Sequence, residues 1–142
     1  MTGVRAIGRI LMTVAALTAS VLPVFVDISE SHVLNPGWPP HARVHEVWLL
    51  STGAGVGAVA LWLIWIRPQL VLSAVLTASI LGGFLVAAAT APLYGGVLVD
   101  PATAHLMPNN DRVLGIPANL FAFTTALIIL LVGLPLARRE HR

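Results

Sequence analysis

The sequence predicts an all-α integral membrane protein, a bundle of four helices that cross the bilayer. Hydrophobic residues make up 57% of the 142 residues and charged residues 10%, whereas soluble domains are about one-quarter charged. The apolar residues are gathered in four long runs, each close to the ~20 residues with which a helix crosses ~30 Å of hydrocarbon. No run shows the strict alternation of polar and apolar residues that membrane strands require.

The four predicted helices lie, in chain order, at about 7–26, 40–66, 69–91 and 114–137. Backbone N–H and C=O groups inside a bilayer must be paired within the spanning structure, so each apolar run is expected to be helical. Pro39 and Pro40 fit the start of the second helix, because proline is tolerated in a first turn. The short connection at Arg67 makes the second and third helices antiparallel neighbours. One membrane domain over residues 1–142 is the simplest organisation.

Arginine placement predicts how the bundle is oriented. All eight basic side chains are arginine, and only Arg43 and Arg112 lie in or next to the two long loops. Cytoplasmic segments carry the excess of basic residues, so both termini are expected in the cytoplasm and both long loops on the outer face. The expected location is the bacterial plasma membrane, with the lipid bilayer as partner. The arginines form no basic stripe, so nucleic acid is not an expected partner.

One stretch, Asp27 to Trp48, concentrates three His, two Glu, one Asp and two Trp in 22 residues. His41 and His45 are four residues apart, which places them on one helix face, and two imidazoles at this spacing can hold one metal ion. A third ligand would be needed. Mixed His and carboxylate ligands suit zinc, iron or manganese, and His-rich sites suit copper. The alternative is a pair of interfacial histidines beside an aromatic belt that includes Trp38.

The candidate site residues fall into three groups. The predicted metal ligands are His32, His41 and His45. The predicted catalytic or charge-steering residues are Glu30, Arg43, Glu46, Asp100 and Asp111. The predicted substrate contacts are Asn35, Trp38, Trp48, Tyr94 and Asn119. Asp27 and His105 are additional candidate ligands. The chain has no cysteine, which excludes thiolate ligands and cysteine nucleophiles. The rigid connector N-P-G-W-P-P is expected to direct His41 inward.

The segment from His32 to His45 reads H-V-L-N-P-G-W-P-P-H-A-R-V-H. It resembles the motif H-x2-N-P-x-W-P-P-H-A-R-x-H of an uncharacterised family of small four-helix membrane proteins from bacteria and fungi. In that family the motif lies between the first two helices. The resemblance implies the four-helix topology and a shared loop, and it implies no particular reaction. The motif positions in this chain are His32, Asn35, Trp38, His41, Arg43 and His45.

Three functions are compatible with this sequence. The first is a membrane-embedded enzyme that acts on a lipophilic small molecule at an outer-face His/carboxylate site, with a metal as Lewis acid or redox centre. The second is a metal-free isomerase or cyclase, in which His and carboxylate groups transfer protons. The third is a non-enzymatic accessory or ligand-binding membrane protein. An ion carrier is disfavoured, because such proteins place ionisable groups at the membrane midplane.

Overall fold

The computed structural model describes residues 3–106 and 112–139. Within these residues the helices are α1 (Gly3–Ser20), α2 (Leu22–Asp27), α3 (Pro40–Trp65), α4 (Leu70–Thr90) and α5 (Ala118–Arg138). Short 3₁₀ helices lie at Ala91–Tyr94 and Ala104–Leu106. Two short strands, β1 (Arg112–Val113) and β2 (Ile116–Pro117), pair in antiparallel orientation.

Four helical spans in the described part of the chain are long and apolar enough to cross a membrane. They are Gly3–Asp27, Pro40–Trp65, Leu70–Tyr94 and Ala118–Arg138. This confirms the predicted all-α fold, and the chain is an integral membrane protein. The cytoplasmic position of the termini and the identity of the membrane stay predictions.

The first span is broken at Val21, although the sequence analysis expects one continuous helix from residue 7 to residue 26. Pro23 stands in the first turn of α2. Proline has no N–H to donate to the carbonyl four residues earlier, and its ring crowds that carbonyl. The helix also starts at Gly3, ahead of the predicted position, because an apolar run indicates the part of a helix in hydrocarbon and not its ends.

The last helix begins at Ala118, four residues after the predicted start at Leu114. Leu114 and Gly115 have φ values of 52° and 79°, and this left-handed conformation cannot continue a right-handed helix. The two residues form the tip of the β1–β2 hairpin. Pro117 follows with an extended backbone (φ −49°, ψ 130°) and occupies the N-cap position of α5.

Small residues allow the helices to approach closely. Gly8 of α1 lies against the main chain of Ala137, and Gly133 of α5 lies against α1. Gly57 of α3 lies against Ser20 at the end of α1. A side chain at these glycines would collide with the neighbouring helix, which is the usual basis of close packing between membrane helices. The larger core side chains between the helices include Met12, Ile64, Leu81 and Leu130.

The helix directions place both long loops at one end of the bundle, and the start of α1 and the end of α5 at the other. The Arg5 side chain donates a hydrogen bond of 2.5 Å to the carbonyl of Arg139, which joins the two tails. At the opposite end, residues of both long loops line a common cleft. We call that end of the bundle, with residues 28–39, 95–106 and 112–117 of the two loops, the loop end.

Candidate functional site

The first long loop is a folded structure that leads the chain into α3. The N–H of Val33 donates to the carbonyl of Asp27 (3.0 Å), and the N–H of Leu34 donates to that of Ser29 (2.9 Å). The Asn35 side chain accepts a hydrogen bond from the N–H of Gly37 (2.8 Å), which is an Asx turn. The loop thus closes on itself before the prolines that begin α3.

Asp27 and His32 lie side by side at the loop end, and Glu46 of α3 lies in the same region; we call the three residues the carboxylate–histidine cluster. His32 Nε2 lies 3.7 Å from Asp27 Oδ1. Glu46 is within electrostatic range of both residues. The side chains of His32 and Asp27 are 29% and 23% exposed, and Glu46 is half-buried. Solvent and small molecules can therefore reach a cluster that the protein still holds in place.

Two hydroxyl groups and an aromatic ring orient His32. The Ser31 Oγ lies 2.9 Å from His32 Nδ1, and the Ser29 Oγ lies 2.8 Å from the Ser31 Oγ. Ser31 is buried. Trp38 packs edge-on against the imidazole, with ring centroids 5.6 Å apart. Both ring nitrogens of His32 thus face polar groups, hydroxyl at Nδ1 and carboxylate at Nε2, an arrangement in which an imidazole can pass protons.

His41 and His45 lie on the other side of α3. At about 100° per residue, Arg43 and Glu46 fall within about 40° of the buried Leu50, whereas both histidines fall about 140° to 180° away from it. Both histidines are exposed. The sequence predicts that the connector directs His41 inward, and this prediction is wrong, because His41 points away from the bundle. The face of α3 that points into the bundle carries Arg43 and Glu46 instead.

The two outward histidines face each other. Their Nε2 atoms are 2.9 Å apart, and the rings are nearly perpendicular at 85° with centroids separated by 4.5 Å. Trp48 continues this face, with its ring centroid 6.0 Å from that of His45. Trp48 is 67% exposed, so it faces away from the carboxylate–histidine cluster.

The three predicted metal ligands do not converge on one point. His32 stands beside Asp27, and His41 and His45 form a pair on the outer face of α3. Among residues 3–106 and 112–139, no group of three or more His, Asp or Glu side chains is arranged to hold a metal ion. Of the three predicted ligands, His41 and His45 are the two that lie next to each other.

Several predicted site residues contribute to a second feature, an open cleft between the two long loops. The cleft has a volume of about 430 Å³ and is lined by Glu30, Leu34, Asn35, Pro36, Ala102, Thr103, His105 and Leu106. Asp100 does not line the cleft. Its Oδ1 accepts a hydrogen bond from the N–H of Ala102 (2.9 Å) and so stabilises the loop turn. Asp111 lies outside the described residues.

Two predicted substrate contacts form hydrogen bonds within the scaffold. The Tyr94 hydroxyl donates to the carbonyl of Ala87 in the preceding helix (2.6 Å). The Asn119 amide donates to the carbonyl of Leu98 (3.2 Å), and its oxygen accepts from the N–H of Leu120 (2.7 Å). Asn119 thus links the second long loop to the start of α5.

Asp27 and two serines contribute more to this site than the sequence predicts. Asp27 is only an additional candidate in the sequence, yet it is central to the cluster because it ends α2 directly below the loop. Ser29 and Ser31 are not among the predicted site residues. The signal that could have indicated them is their position, since both lie in the short segment between two ionisable residues, Asp27 and His32.

The comparisons with known proteins concern the family and not a reaction. No curated protein and no solved structure matches the chain. A family model described as a family of unknown function, DUF6640, matches residues 11–142. This range includes the carboxylate–histidine cluster, the histidine pair and most of the described helical bundle. The chain therefore belongs to the DUF6640 family, a family of unknown function.

Proposed function

We propose that the protein is a membrane-embedded enzyme that transfers protons on a lipophilic small molecule, as a metal-free isomerase or cyclase does. The observation that supports this proposal is the partly exposed pair of Asp27 and His32, with Glu46 within electrostatic range of both. General acid–base catalysis needs one group that accepts a proton and one that returns it. Two carboxyl groups beside an oriented imidazole supply both.

The position of the cluster supports a lipophilic substrate. Asp27 is the last residue of the first membrane span, and Glu46 lies in the second turn of the next one. Phe25, Val26 and Ile28 are exposed apolar side chains beside Asp27 in the chain, and Phe25 is 78% exposed. A molecule dissolved in the bilayer can therefore approach the cluster along an apolar surface, without crossing a layer of charged side chains.

The proposed reaction needs no oxidant and no second substrate. A carboxylate of the cluster removes a proton from one atom of the substrate, and a protonated group of the cluster delivers a proton to another atom. The electron pair released by the first step moves within the substrate to form the bond that the second step requires. The hydroxyl groups of Ser31 and Ser29 keep His32 oriented while it exchanges its proton with the carboxylates.

A metal-dependent reaction is less well supported by this arrangement. Such a reaction would need about three protein ligands around one open position, and His41 and His45 lie on the opposite face of α3 from Asp27 and Glu46. Proton transfer requires only the groups that the cluster already contains.

Solvent deuterium tests the proposal even while the substrate is unidentified. Membranes that contain the protein are incubated in D2O, and extracted lipids are analysed by mass spectrometry for deuterium in C–H positions. We expect label in wild-type membranes and a loss of roughly a hundredfold or more in Asp27→Asn and Glu46→Gln, the scale of general acid–base catalysis. Glu140→Gln makes the same chemical change in the C-terminal tail and serves as the matched control.

The outcomes separate the candidate functions. Label that requires Asp27 and Glu46 but not Glu140 supports the enzyme. Equal label in the wild type and in membranes without the protein contradicts it and favours the accessory or ligand-binding alternative. Equal label in wild type, Asp27→Asn and Glu46→Gln shows that any activity resides elsewhere in the chain.

A further inference from the structure

We propose that His41 and His45 form a two-imidazole chelate for a late divalent transition metal, Cu²⁺ or Ni²⁺ in preference to Zn²⁺. This site lies on the outward face of α3 and is separate from the carboxylate–histidine cluster on the inward face. It does not depend on the proposed function, because its evidence is the geometry of the pair and its test is metal binding.

The two Nε2 atoms lie close enough together to bind one metal ion. Their Nε2 atoms are 2.9 Å apart, and their centroids are 4.5 Å apart. At this separation the two nitrogens share a hydrogen bond, which a bound metal ion would replace. A metal ion with imidazole bonds of about 2.0–2.1 Å can bind two nitrogens 2.9 Å apart at an N–metal–N angle of about 90°.

The angle distinguishes between metals. Square-planar and tetragonal nitrogen sites, with ligands at about 90°, are typical of Cu²⁺ and Ni²⁺. A tetrahedral Zn²⁺ site would hold two nitrogens about 3.3 Å apart at about 109°, which is wider than the 2.9 Å between His41 and His45. The general order of affinity for divalent metals also favours Cu²⁺ over Zn²⁺ and Ni²⁺.

The surroundings of the pair leave it available to a metal. Both histidines are exposed, and the neighbouring Val44 and Leu49 are apolar and 65% and 66% exposed. The basic side chain closest in sequence, Arg43, lies on the other face of α3 and donates to the carbonyl of Asn35. A bound cation would therefore meet two imidazoles on this face, and water can fill its remaining positions.

The i, i+4 spacing allows a sharp test. Protein purified without a histidine tag and stripped of metal is titrated with Cu²⁺ in detergent micelles. Affinity is measured by calorimetry, and the ligands are counted by nitrogen hyperfine structure in electron paramagnetic resonance. We expect one tight site per chain with two nitrogen ligands. His41→Ala and His45→Ala each should weaken binding by at least about tenfold, because each variant retains one imidazole and loses the chelate effect of the pair.

Two further variants distinguish chelation from other effects. His105→Ala removes an exposed imidazole from the other long loop and should leave the affinity unchanged. His41→Ala/Leu49→His restores a histidine four residues from His45 on the same helix face and should recover most of the lost affinity. Far-ultraviolet circular dichroism verifies that each variant stays helical, which the exposure of these positions favours.

Three results would overturn the site. The first is wild-type protein without a two-nitrogen Cu²⁺ signal. The second is a His41→Ala/His45→Ala double variant that binds Cu²⁺ as tightly as the wild type does. The third is a rescue variant that stays at the affinity of the single-histidine variants, since this would show that spacing on α3 does not create the site.

Discussion

Arg43 Nη2 donates a hydrogen bond of 2.6 Å to the main-chain carbonyl of Asn35, eight residues earlier in the chain. Asn35 also closes the turn at Gly37 through its side chain. The guanidinium therefore connects the proline-rich connector to the first turns of α3. The sequence predicts that Arg43 steers charge at a catalytic site, whereas in the structure its guanidinium holds the connector to α3.

Removal of this hydrogen bond should loosen the loop end. We expect Arg43→Gln to lower the free energy of unfolding by about 1.5–3 kcal/mol, the usual contribution of a hydrogen bond to a charged group. Arg43→Lys should recover part of the loss, because a single hydrogen bond to a carbonyl can also be donated by an ammonium group. Denaturant unfolding in detergent micelles, followed by circular dichroism, measures the change. Arg67→Gln, in the exposed turn between α3 and α4, is the control, and equal stability of both variants would contradict the role of Arg43.

The close approach of helices at glycine gives a second prediction. We expect Gly8→Ala and Gly57→Ala to destabilise the bundle by about 1–3 kcal/mol, because the added methyl group would overlap the neighbouring helix. Gly82→Ala and Gly83→Ala place the same group in open space on α4. They should leave stability unchanged or raise it by about 0.5–1 kcal/mol, since alanine favours helix more than glycine does.

Thermal unfolding of the four alanine variants in one detergent measures this difference. The comparison is matched, because each variant exchanges glycine for alanine within a membrane-spanning helix. A similar loss of thermal stability in Gly82→Ala and Gly57→Ala would show that Gly57 does not pack against Ser20 in the folded bundle.

The helices could be predicted because the bilayer imposes length and composition on them. Hydropathy alone locates four spans, and the described part of the chain contains four. The ends of the helices were harder to predict. The break at Val21 depends on Pro23, and the late start of α5 depends on a left-handed Leu114, a conformation that the sequence L-G-I-P does not require of leucine.

The site was harder to predict, because α3 is apolar on almost every side. A helix of this kind carries no stripe that shows which face packs inward. The spacing of His41 and His45 correctly places them side by side, yet only the packing at Leu50 and Gly57 shows that they point away from the bundle. The position of Glu46 near Asp27 likewise depends on how α2 packs against α3.

Asn119 gives a third prediction, because its side chain supports the second long loop from the start of α5. It bonds both the carbonyl of Leu98 and the N–H of Leu120. We expect Asn119→Ala to lower the free energy of unfolding by about 1 kcal/mol, the usual net contribution of a hydrogen bond. Asn119→Asp should retain the bond to Leu120 and recover part of the loss. Hydrogen exchange of residues 95–106 should increase in Asn119→Ala, and unchanged exchange there would contradict the link.

The hairpin tip provides the last prediction, because Leu114 combines a left-handed backbone with a side chain that is 89% exposed. Left-handed conformation costs an ordinary residue about 1–2 kcal/mol, and Asn-Gly is the preferred sequence for a two-residue hairpin turn with positive φ at both positions. We therefore expect Leu114→Asn to raise the free energy of unfolding by about 1 kcal/mol, and Gly115→Ala to lower it by a similar amount.

Denaturant unfolding of the two variants in micelles checks these opposite signs. The expected signs assume that the exposed Leu114 side chain contributes little to the stability of the folded chain. If Leu114→Asn is less stable than the wild type, the leucine must gain more from apolar contact with the surrounding micelle than its backbone conformation costs. Repeating the comparison with short-chain and long-chain detergents separates the two contributions, because the backbone cost is independent of the detergent and the apolar contact is not.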